Sequence, residues 1–410
     1  MLKILFLVSN FPPEISTGRL EYELSQSFVR SGKFVTVVTA FPRRYLINYT
    51  PSHGGNFLYR EEISRIRVIR MGPEFSGRDT IAIRGFEYFF EFFSFFLGGI
   101  IAGKADIIIC SSPPLTLALA SYFLGKVKHA PVIVRIGDLH PQELVDLGLI
   151  KSKVLVRFLE FMERVVYKKI DFFTVLSEGY RKHLLKKGAP PGKVCVVPNW
   201  GNTQELEISE ELRTDLKKPV QKFVVTYAGI MSWFQDLETI IDAAFRLREH
   251  KDIRFLLVGD GPQKRFLEEK SKRLQLENVS FISLRPRKEY LQILQTSDAC
   301  FVSLKKEVKT TTIPSKLLDI MACGRPVIAN VPRGEVSDII FKAKCGVCVE
   351  PQNPDELAEA ILSLYKNRSE VVQLGRNARE YLERHFTLNA CVEKYEEIIQ
   401  RLTKRSANVP

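Results

Sequence analysis

The sequence predicts an α/β protein of two domains, each with an open and mostly parallel sheet, that face each other across a cleft. Three observations lead to this prediction. The chain has 410 residues, which is more than a single hydrophobic core usually holds. Strand-like apolar runs alternate with helical patterns in residues 2–197, and the alternation restarts at residue 223. A polar, charged stretch at 202–219 separates the two series and indicates a domain boundary.

The boundary divides the chain into two domains and a closing helix. We assign residues 1–205 to the first domain and 206–385 to the second. The helical pattern of 386–410 is expected to return to the first domain. Sheets of this kind bind ligands at the carboxyl ends of their strands, so the expected site lies between the domains.

The first half begins with a β-α-β unit. Residues 2–8 form an apolar strand, and the segment from Gly18 to Arg30 has leucines and a phenylalanine four residues apart. Gly32 ends this helix, and residues 34–39 form the next strand, which predicts parallel pairing with a right-handed crossover. Further strands of this half are predicted at 106–109, 132–134, 172–175 and 194–197.

The second half repeats the alternation and ends in charged helices. Its predicted strands are 223–227, 255–258, 279–282, 299–304 and 326–329. Its predicted helices are 237–249, 288–296, the segment from 315, 354–366, 369–385 and 388–404. A sheet with helices between consecutive strands is therefore expected here too.

The composition favours an anionic partner. Lys and Arg number 60 against 47 Asp and Glu, a formal net charge of +13, while 45% of residues are hydrophobic and 26% charged. No recognisable nucleic-acid module occurs, so we expect a phosphorylated substrate or an anionic membrane surface. The seven cysteines are scattered and odd in number, and no signal-peptide pattern follows Met1. Both observations predict a cytoplasmic protein with reduced thiols.

An aromatic stretch at residues 84–103 leaves three interpretations open. Eight residues between Phe86 and Phe96 are aromatic, interrupted by Glu87, Glu91 and Ser94. The stretch is a buried helix of the first domain, an amphipathic helix in the membrane interface, or an inserted segment. The two glutamates argue against insertion. Basic residues that would suit anionic lipid head groups lie at Arg43, Arg44, Arg65, Arg67, Arg70 and Arg84.

Several common motifs fail. Residues 98–104 match the start of a phosphate-binding loop, but Ala105 follows where Ser or Thr is needed, and no strand precedes the run. There is no G-x-G-x-x-G for a dinucleotide and no Asp-x-Asp pair for a metal on a sugar diphosphate. Cys345 and Cys348 lack a second pair for zinc. We therefore expect neither a cofactor nor a metal.

The stretch from Ile313 to Asn330 carries the sharpest site prediction. Ser315 has the position of a helix N-cap before a short apolar-periodic run, and a helix N-terminus attracts anions. Lys316 adds a positive charge in the first turn, and Asp319, one turn on, could accept hydrogen bonds from ribose hydroxyls. This spacing suits a nucleotide sugar. It equally suits a capped surface helix with no ligand.

The motifs together resemble the family-4 retaining glycosyltransferases of the GT-B fold. The second half contributes Tyr227-Ala228-Gly229, Val258 to Pro262, Asp298-Ala299 and Pro314 to Ala329; the first half contributes Pro12-Pro13-Glu14, Gly18, Ser112-Pro113-Pro114, Asp138 to Pro141 and Val197-Pro198-Asn199. The resemblance covers nearly the whole chain and is strongest to enzymes of O-antigen, capsule and colanic-acid synthesis, including fucosyl- and N-acetylfucosaminyltransferases.

The resemblance implies roles for particular residues. Lys316, His140 and Asp138 would be catalytic. The donor would be bound by Gly18, Gly259, Asp260, Gly261, Ser315, Lys316, Asp319 and Glu335. The chain also departs from the family pattern.

Asp319 replaces the usual Glu, and Thr311 stands where its partner acid is expected. Ile230 and Gln235 replace a basic pair, which leaves Lys316, with Arg285 as an alternative, for the diphosphate. His140 lies three residues after Gly137, where many members have their histidine. It could instead only cap a loop beside Pro141.

The implied activity is metal-independent sugar transfer, with retention, from a nucleotide diphosphate sugar to a lipid-linked or oligosaccharide acceptor. The enzyme would be peripheral on the inner face of the plasma membrane. Two alternatives stay open: a sugar-nucleotide 2-epimerase of the same fold, and a non-catalytic nucleotide-sugar-binding subunit, which the missing acid and basic pair would suit.

Overall fold

The protein folds into two compact units. The computed structural model describes residues 1–13, 18–42, 55–73, 81–146, 148, 150–201, 203, 222–308 and 313–407. One unit comprises Met1–Pro198 with Asn389–Pro410, and the other comprises Asn199–Leu388. Each is an α/β structure around a largely parallel sheet, which confirms the predicted fold class. Most of the stretch at 202–219 lies outside the described residues.

The first unit is built on a sheet that has eight strands within the described residues, in the order β3-β4-β2-β1-β5-β6-β7-β8. The strands are β1 Lys3–Val8, β2 Phe34–Thr39, β3 Leu58–Ile63, β4 Ile66–Met71, β5 Ile107–Ser112, β6 Val132–Ile136, β7 Phe172–Val175 and β8 Val194–Val196. The central strands are continuous apolar runs because helices cover both faces of a parallel sheet.

The β3–β4 pair is an antiparallel hairpin that the sequence did not reveal. Its turn places Ser64 and Arg65 at φ 51° and 66°, where Asn-Gly is the usual signal. Arg70 on β4 is 2% exposed and donates to the Glu61 carboxylate at 2.5 Å. The suggestion that Arg70 faces lipid head groups is therefore wrong, because its charge is used inside the unit.

Helices cover this sheet on both sides. They are α1 Arg19–Arg30, α2 Ile81–Ile101, α3 Leu115–Lys128, α4 Gln142–Asp146, α5 Lys153–Lys169, α6 Glu178–Lys186 and, after the second unit, α14 Leu388–Ala407. Helix α14 packs on the first unit, where the Tyr395 hydroxyl lies 2.9 Å from the Thr174 hydroxyl. The Tyr395 ring meets that of Phe28 edge-on at 6.4 Å.

Helix α2 contains the aromatic stretch, and its polarity is inverted relative to an ordinary surface helix. Glu87 and Glu91 are buried, and the Glu91 carboxylate accepts a hydrogen bond from Ser9 Oγ at 2.8 Å. Phe86, Phe89 and other apolar side chains point outward instead. Across the described residues, we find no helix long and apolar enough to cross a bilayer. The helix therefore has a buried face, as the first interpretation holds, and also an exposed apolar one.

The second unit has a sheet in which every pair of described strands is parallel, in the order β11-β10-β9-β12-β13-β14. The strands are β9 Phe223–Ala228, β10 Ile253–Val258, β11 Val279–Ile282, β12 Ala299–Ser303, β13 Val327–Asn330 and β14 Gly346–Val349. The helices are α7 Leu237–Arg246, α8 Lys264–Arg273, α9 Arg287–Thr296, α10 Ser315–Ala322, α11 Glu335–Ala343, α12 Pro354–Lys366 and α13 Arg368–His385. All the strands predicted for this half are present.

Candidate functional site

Glycines line the carboxyl edge of β9 and β10 in the second unit. Gly229 follows β9, and Gly259 follows β10 with a φ of 145°. A Cβ on Gly259 would lie 1.9 Å from the carbonyl oxygen of Gly229, so no other residue fits there. The two loops continue side by side, since the Met231 N–H donates to the Asp260 carbonyl at 2.8 Å. The result is an edge of nearly bare backbone at the place where parallel sheets bind ligands.

Lys316 reaches this glycine edge from the first turn of α10. Its ammonium donates to the Tyr227 hydroxyl at 2.7 Å and lies 4.3 Å from the centre of the Tyr227 ring. A Cβ on Gly229 would be 3.1 Å from Lys316 Nζ, which places the cation directly over that glycine. Burial lowers the pKa of Lys316 from its usual 10.5 to about 7. An anion bound at this edge would supply the negative charge that the ammonium needs.

The start of α10 differs from the prediction. Ser315 is the first helical residue and Pro314 is the N-cap, so the expectation that Ser315 caps the helix is wrong. Proline has no side-chain acceptor, and the helix begins without a capping side chain. Gly324 has the expected left-handed conformation after the helix, at φ 63°. Thr311 lies outside the described residues.

Asp319 is held by an arginine that sequence reasoning missed. Arg287, at the start of α9, donates to both carboxylate oxygens at 2.8 and 2.9 Å. The Tyr290 hydroxyl donates to the same carboxylate at 3.2 Å. Asp319 is only 4% exposed, so its charge is neutralised within the unit. Its role toward ribose stays a prediction, and a ribose would have to compete with Arg287.

The remaining predicted donor contacts of this unit differ in exposure. Asp260 is exposed, and its carboxylate accepts from the Gly261 N–H at 2.8 Å. Glu335 is the half-buried first residue of α11. Arg285, the alternative diphosphate cation, is exposed and pairs with Glu289 at 3.6 Å.

In the first unit, Asp138 and His140 lie together after β6, with a third residue that the sequence analysis missed. Asp138, His140 and Glu143 each offer a ligand atom within 4.8 Å of the others. Glu143 is buried and accepts from the Leu139 N–H at 3.2 Å and from the Tyr180 hydroxyl at 3.1 Å. Its second oxygen lies 3.9 Å from His140 Nε2. The i, i+3 spacing of His140 and Glu143 was the available signal.

Gly18, the other site residue predicted in the first unit, stands at the start of α1 with φ 79°. A Cβ there would lie 2.5 Å from the Asn10 carbonyl oxygen. The glycine is thus required by the close approach of the loop after β1. Residues 14–17, between these two points, lie outside the described part of the chain.

Each half of the chain matches a known family of glycosyl transferases. Residues 19–200 match the family described as glycosyl transferase 4-like domain, and residues 208–381 match glycosyl transferases group 1. The Escherichia coli (strain K12) protein WcaI, named as a glycosyl transferase of colanic acid biosynthesis, is 27% identical over 404 residues. That alignment covers 93% of this chain and 96% of WcaI.

Solved structures share the fold of the whole chain. Sucrose-phosphate synthase from Thermosynechococcus elongatus superposes with a TM-score of 0.80 at 17% identity, covering 99% of this chain and 100% of its own. Anabaena HepE in complex with UDP-glucose gives a TM-score of 0.71 at 16% identity, covering 98% and 100%. The GT-B fold is thereby shown.

Proposed function

The chain is a glycosyltransferase of the group 1 and 4-like families, and from this premise we propose that it moves a sugar from a nucleotide diphosphate sugar to a hydroxyl of a lipid-linked glycan, with retention of configuration. The place of Lys316 carries the proposal: its ammonium lies over Gly229, at the glycine edge of β9 and β10. A cation above bare backbone suits a diphosphate, which needs charge and close approach.

The donor orientation follows from the same edge. The diphosphate would lie between Lys316 and the start of α10, with the nucleoside toward Asp319 and Glu335. Negative charge develops on the β-phosphate as the sugar leaves. A fixed cation and a helix N-terminus stabilise that charge more in the transition state than in the ground state.

The proposed transfer step needs no pair of catalytic carboxylates. The bond from the anomeric carbon to the β-phosphate oxygen breaks, and a bond from the acceptor oxygen forms on the same face. The acceptor proton passes to the departing phosphate oxygen. In the first unit, His140 would contact the transferred sugar, Glu143 would orient His140, and Asp138 would lie on the acceptor side.

The acceptor and the pathway are also part of the proposal. WcaI is named for colanic acid biosynthesis, and HepE is recorded with UDP-glucose. These names support a nucleotide sugar donor and an acceptor in surface polysaccharide assembly. The acceptor would then be a lipid-linked intermediate at the cytoplasmic face of the membrane.

The test begins with the donor. A thermal-shift screen of the purified protein against UDP-, GDP-, dTDP- and CMP-sugars identifies the nucleotide, because a bound ligand raises the unfolding temperature. Transfer of a labelled sugar to lipid-linked acceptors is then measured, and NMR of the product gives the anomeric configuration. Lys316→Ala should lower transfer by about 10²-fold or more, whereas substitution of an exposed lysine of α8, Lys272→Ala, should leave it unchanged.

Three results would contradict the proposal. Near-normal transfer by Lys316→Ala would remove that residue from the site. Conversion of a UDP-sugar without any acceptor would point to an epimerase. Donor binding without turnover on every acceptor tried would favour a nucleotide-sugar-binding subunit.

A further inference from the structure

We propose that the exposed apolar side of α2, together with its neighbours on α3 and α5, is a docking surface for an anionic lipid bilayer. We call these exposed residues the apolar surface. The inference deepens the proposed function and rests on it in one respect, because that function places the acceptor at a membrane. Its own evidence is the distribution of apolar and charged side chains over the first unit.

The apolar surface starts from the inverted polarity of α2. Phe86, Phe89 and Phe93 are 60%, 56% and 55% exposed, and Leu97 and Ile100 continue the same stripe. These positions recur every three or four residues, so they lie along one side of the helix. Every exposed residue of α2 whose side chain is described is apolar. A helix that buries its glutamates and exposes a row of phenylalanines presents the kind of apolar patch that marks an interaction site.

The stripe continues onto the two neighbouring helices. The rings of Phe92 on α2 and Phe123 on α3 lie 6.3 Å apart, and Phe123 is itself exposed. Helix α5 packs beside α3 and exposes Phe158 and Phe161. Val127, Val154 and Leu155 add exposed aliphatic side chains.

The apolar surface is larger than ordinary for a monomer. A phenylalanine side chain presents roughly 200 Å², so at 47–60% exposure each of the phenylalanines contributes about 100 Å². Six of them reach about 600 Å² before the aliphatic residues are added, the upper end of what monomeric proteins show. A surface of this size marks an interaction site.

The charged residues next to the apolar surface indicate which partner covers that surface. Exposed basic residues lie just before α5, at Lys151, and in its first two turns, at Lys153 and Arg157. The helix also borders a cavity of about 430 Å³ lined by Gln142, Glu160, Arg164, His183, Lys186 and Lys187. Lys187 pairs with Glu163 at 2.5 Å and Glu160 at 3.8 Å, so Arg164 and Lys186, both exposed, give the cavity its positive charge. Basic groups beside exposed aromatic rings match anionic phosphate head groups above acyl chains.

The same charges disfavour a second copy of the chain. Two such surfaces face to face would bring the basic residues of both copies together, and like charges in an interface cost affinity. A bilayer instead pairs each cation with a phosphate and each phenylalanine with lipid.

The test is flotation with phosphatidylcholine vesicles containing or lacking 30% phosphatidylglycerol. The wild-type protein should bind the anionic vesicles more tightly than the neutral ones. The variant Phe86→Ser/Phe89→Ser/Phe93→Ser should bind anionic vesicles at least about 30-fold more weakly, because each lost ring removes roughly 100 Å² of apolar contact. The variant Arg164→Gln/Lys186→Gln should lose most of the preference for anionic lipid.

The matched control replaces three exposed apolar residues of the second unit: Phe341→Ser/Phe266→Ser/Val372→Ser. It should bind vesicles as the wild type does. If the α2 variant unfolds, Phe158→Ser/Phe161→Ser on α5 tests the same surface.

Two outcomes would overturn the proposal. One is equal vesicle binding by the α2 variant and the control. The other is a dimer in light scattering that the α2 substitutions, and not the control, dissociate. Neither readout needs donor or transfer, so a failed docking surface leaves the sugar-transfer proposal standing, and the reverse holds too.

Discussion

Donor binding should be coupled to protonation of Lys316. Burial lowers the pKa of this ammonium to about 7 in the free protein. The side chain is therefore about half charged at pH 7, about one-tenth charged at pH 8 and about one-hundredth at pH 9. If the donor diphosphate binds the ammonium form, the apparent affinity should fall about fivefold from pH 7 to 8 and about tenfold from pH 8 to 9. Each molecule bound at pH 8 should take up close to one proton.

The measurement is isothermal titration calorimetry with the nucleotide sugar identified in the screen, from pH 6 to 9, in buffers of different ionisation enthalpy. A nucleotide sugar has no phosphate ionisation in this range, so the proton uptake reports the protein. Lys316→Arg keeps its charge at every pH and should bind with little pH dependence. A flat affinity between pH 7 and 9 in the wild type, with no proton uptake, would refute the coupling.

The same pKa has a consequence for stability. A lysine with a lowered pKa in the folded state disfavours folding once the unfolded chain can protonate. The free energy of unfolding should therefore fall as the pH drops from 10.5 toward 7, and below pH 7 this group should cause no further change. Lys316→Met should remove that slope. A wild-type slope that persists unchanged in the variant would assign it to other groups.

Two further substitutions test the framework of the site. Arg287→Leu removes the arginine that neutralises the buried Asp319 carboxylate and should cost about 3–5 kcal/mol in urea unfolding. Adding Asp319→Leu should recover most of this loss, and equal losses in the single and double variants would contradict the pairing. Gly259→Ala puts a methyl group against the Gly229 carbonyl and should cost roughly 3 kcal/mol or more, against little for Gly192→Ala, whose Cβ meets nothing within 4 Å. A fully stable Gly259→Ala would show that the two loops lie further apart.

The order of strands and helices could be predicted because the chain alternates two periodicities over long distances. The parallel strands of the second unit are continuous apolar runs, and the helices between them are amphipathic, so each element can be predicted from its own residues. The β3–β4 hairpin could not be predicted, because Ser64-Arg65 is not a typical turn pair.

The site was only partly predictable. The glycines and Lys316 were found because they lie within short motifs. Arg287 was missed because it stands 32 residues before Asp319, and no local pattern links an ion pair over that separation. The Pro314 cap was missed because serine is the usual signal one position later. Glu91 was taken as a polar interruption, but tertiary packing turns it inward.

Helix α14 makes the first unit discontinuous along the chain. Its partners Phe28 on α1 and Thr174 on β7 are synthesised before the second unit, but Tyr395 follows only after the whole second unit has been made. During synthesis the face around Thr174 and Phe28 therefore lacks α14 while the almost two hundred residues of the second unit are translated. The last segment of the first unit is therefore made after every residue of the second, and a chain that ends at residue 388 would contain the whole second unit but a first unit without its closing helix.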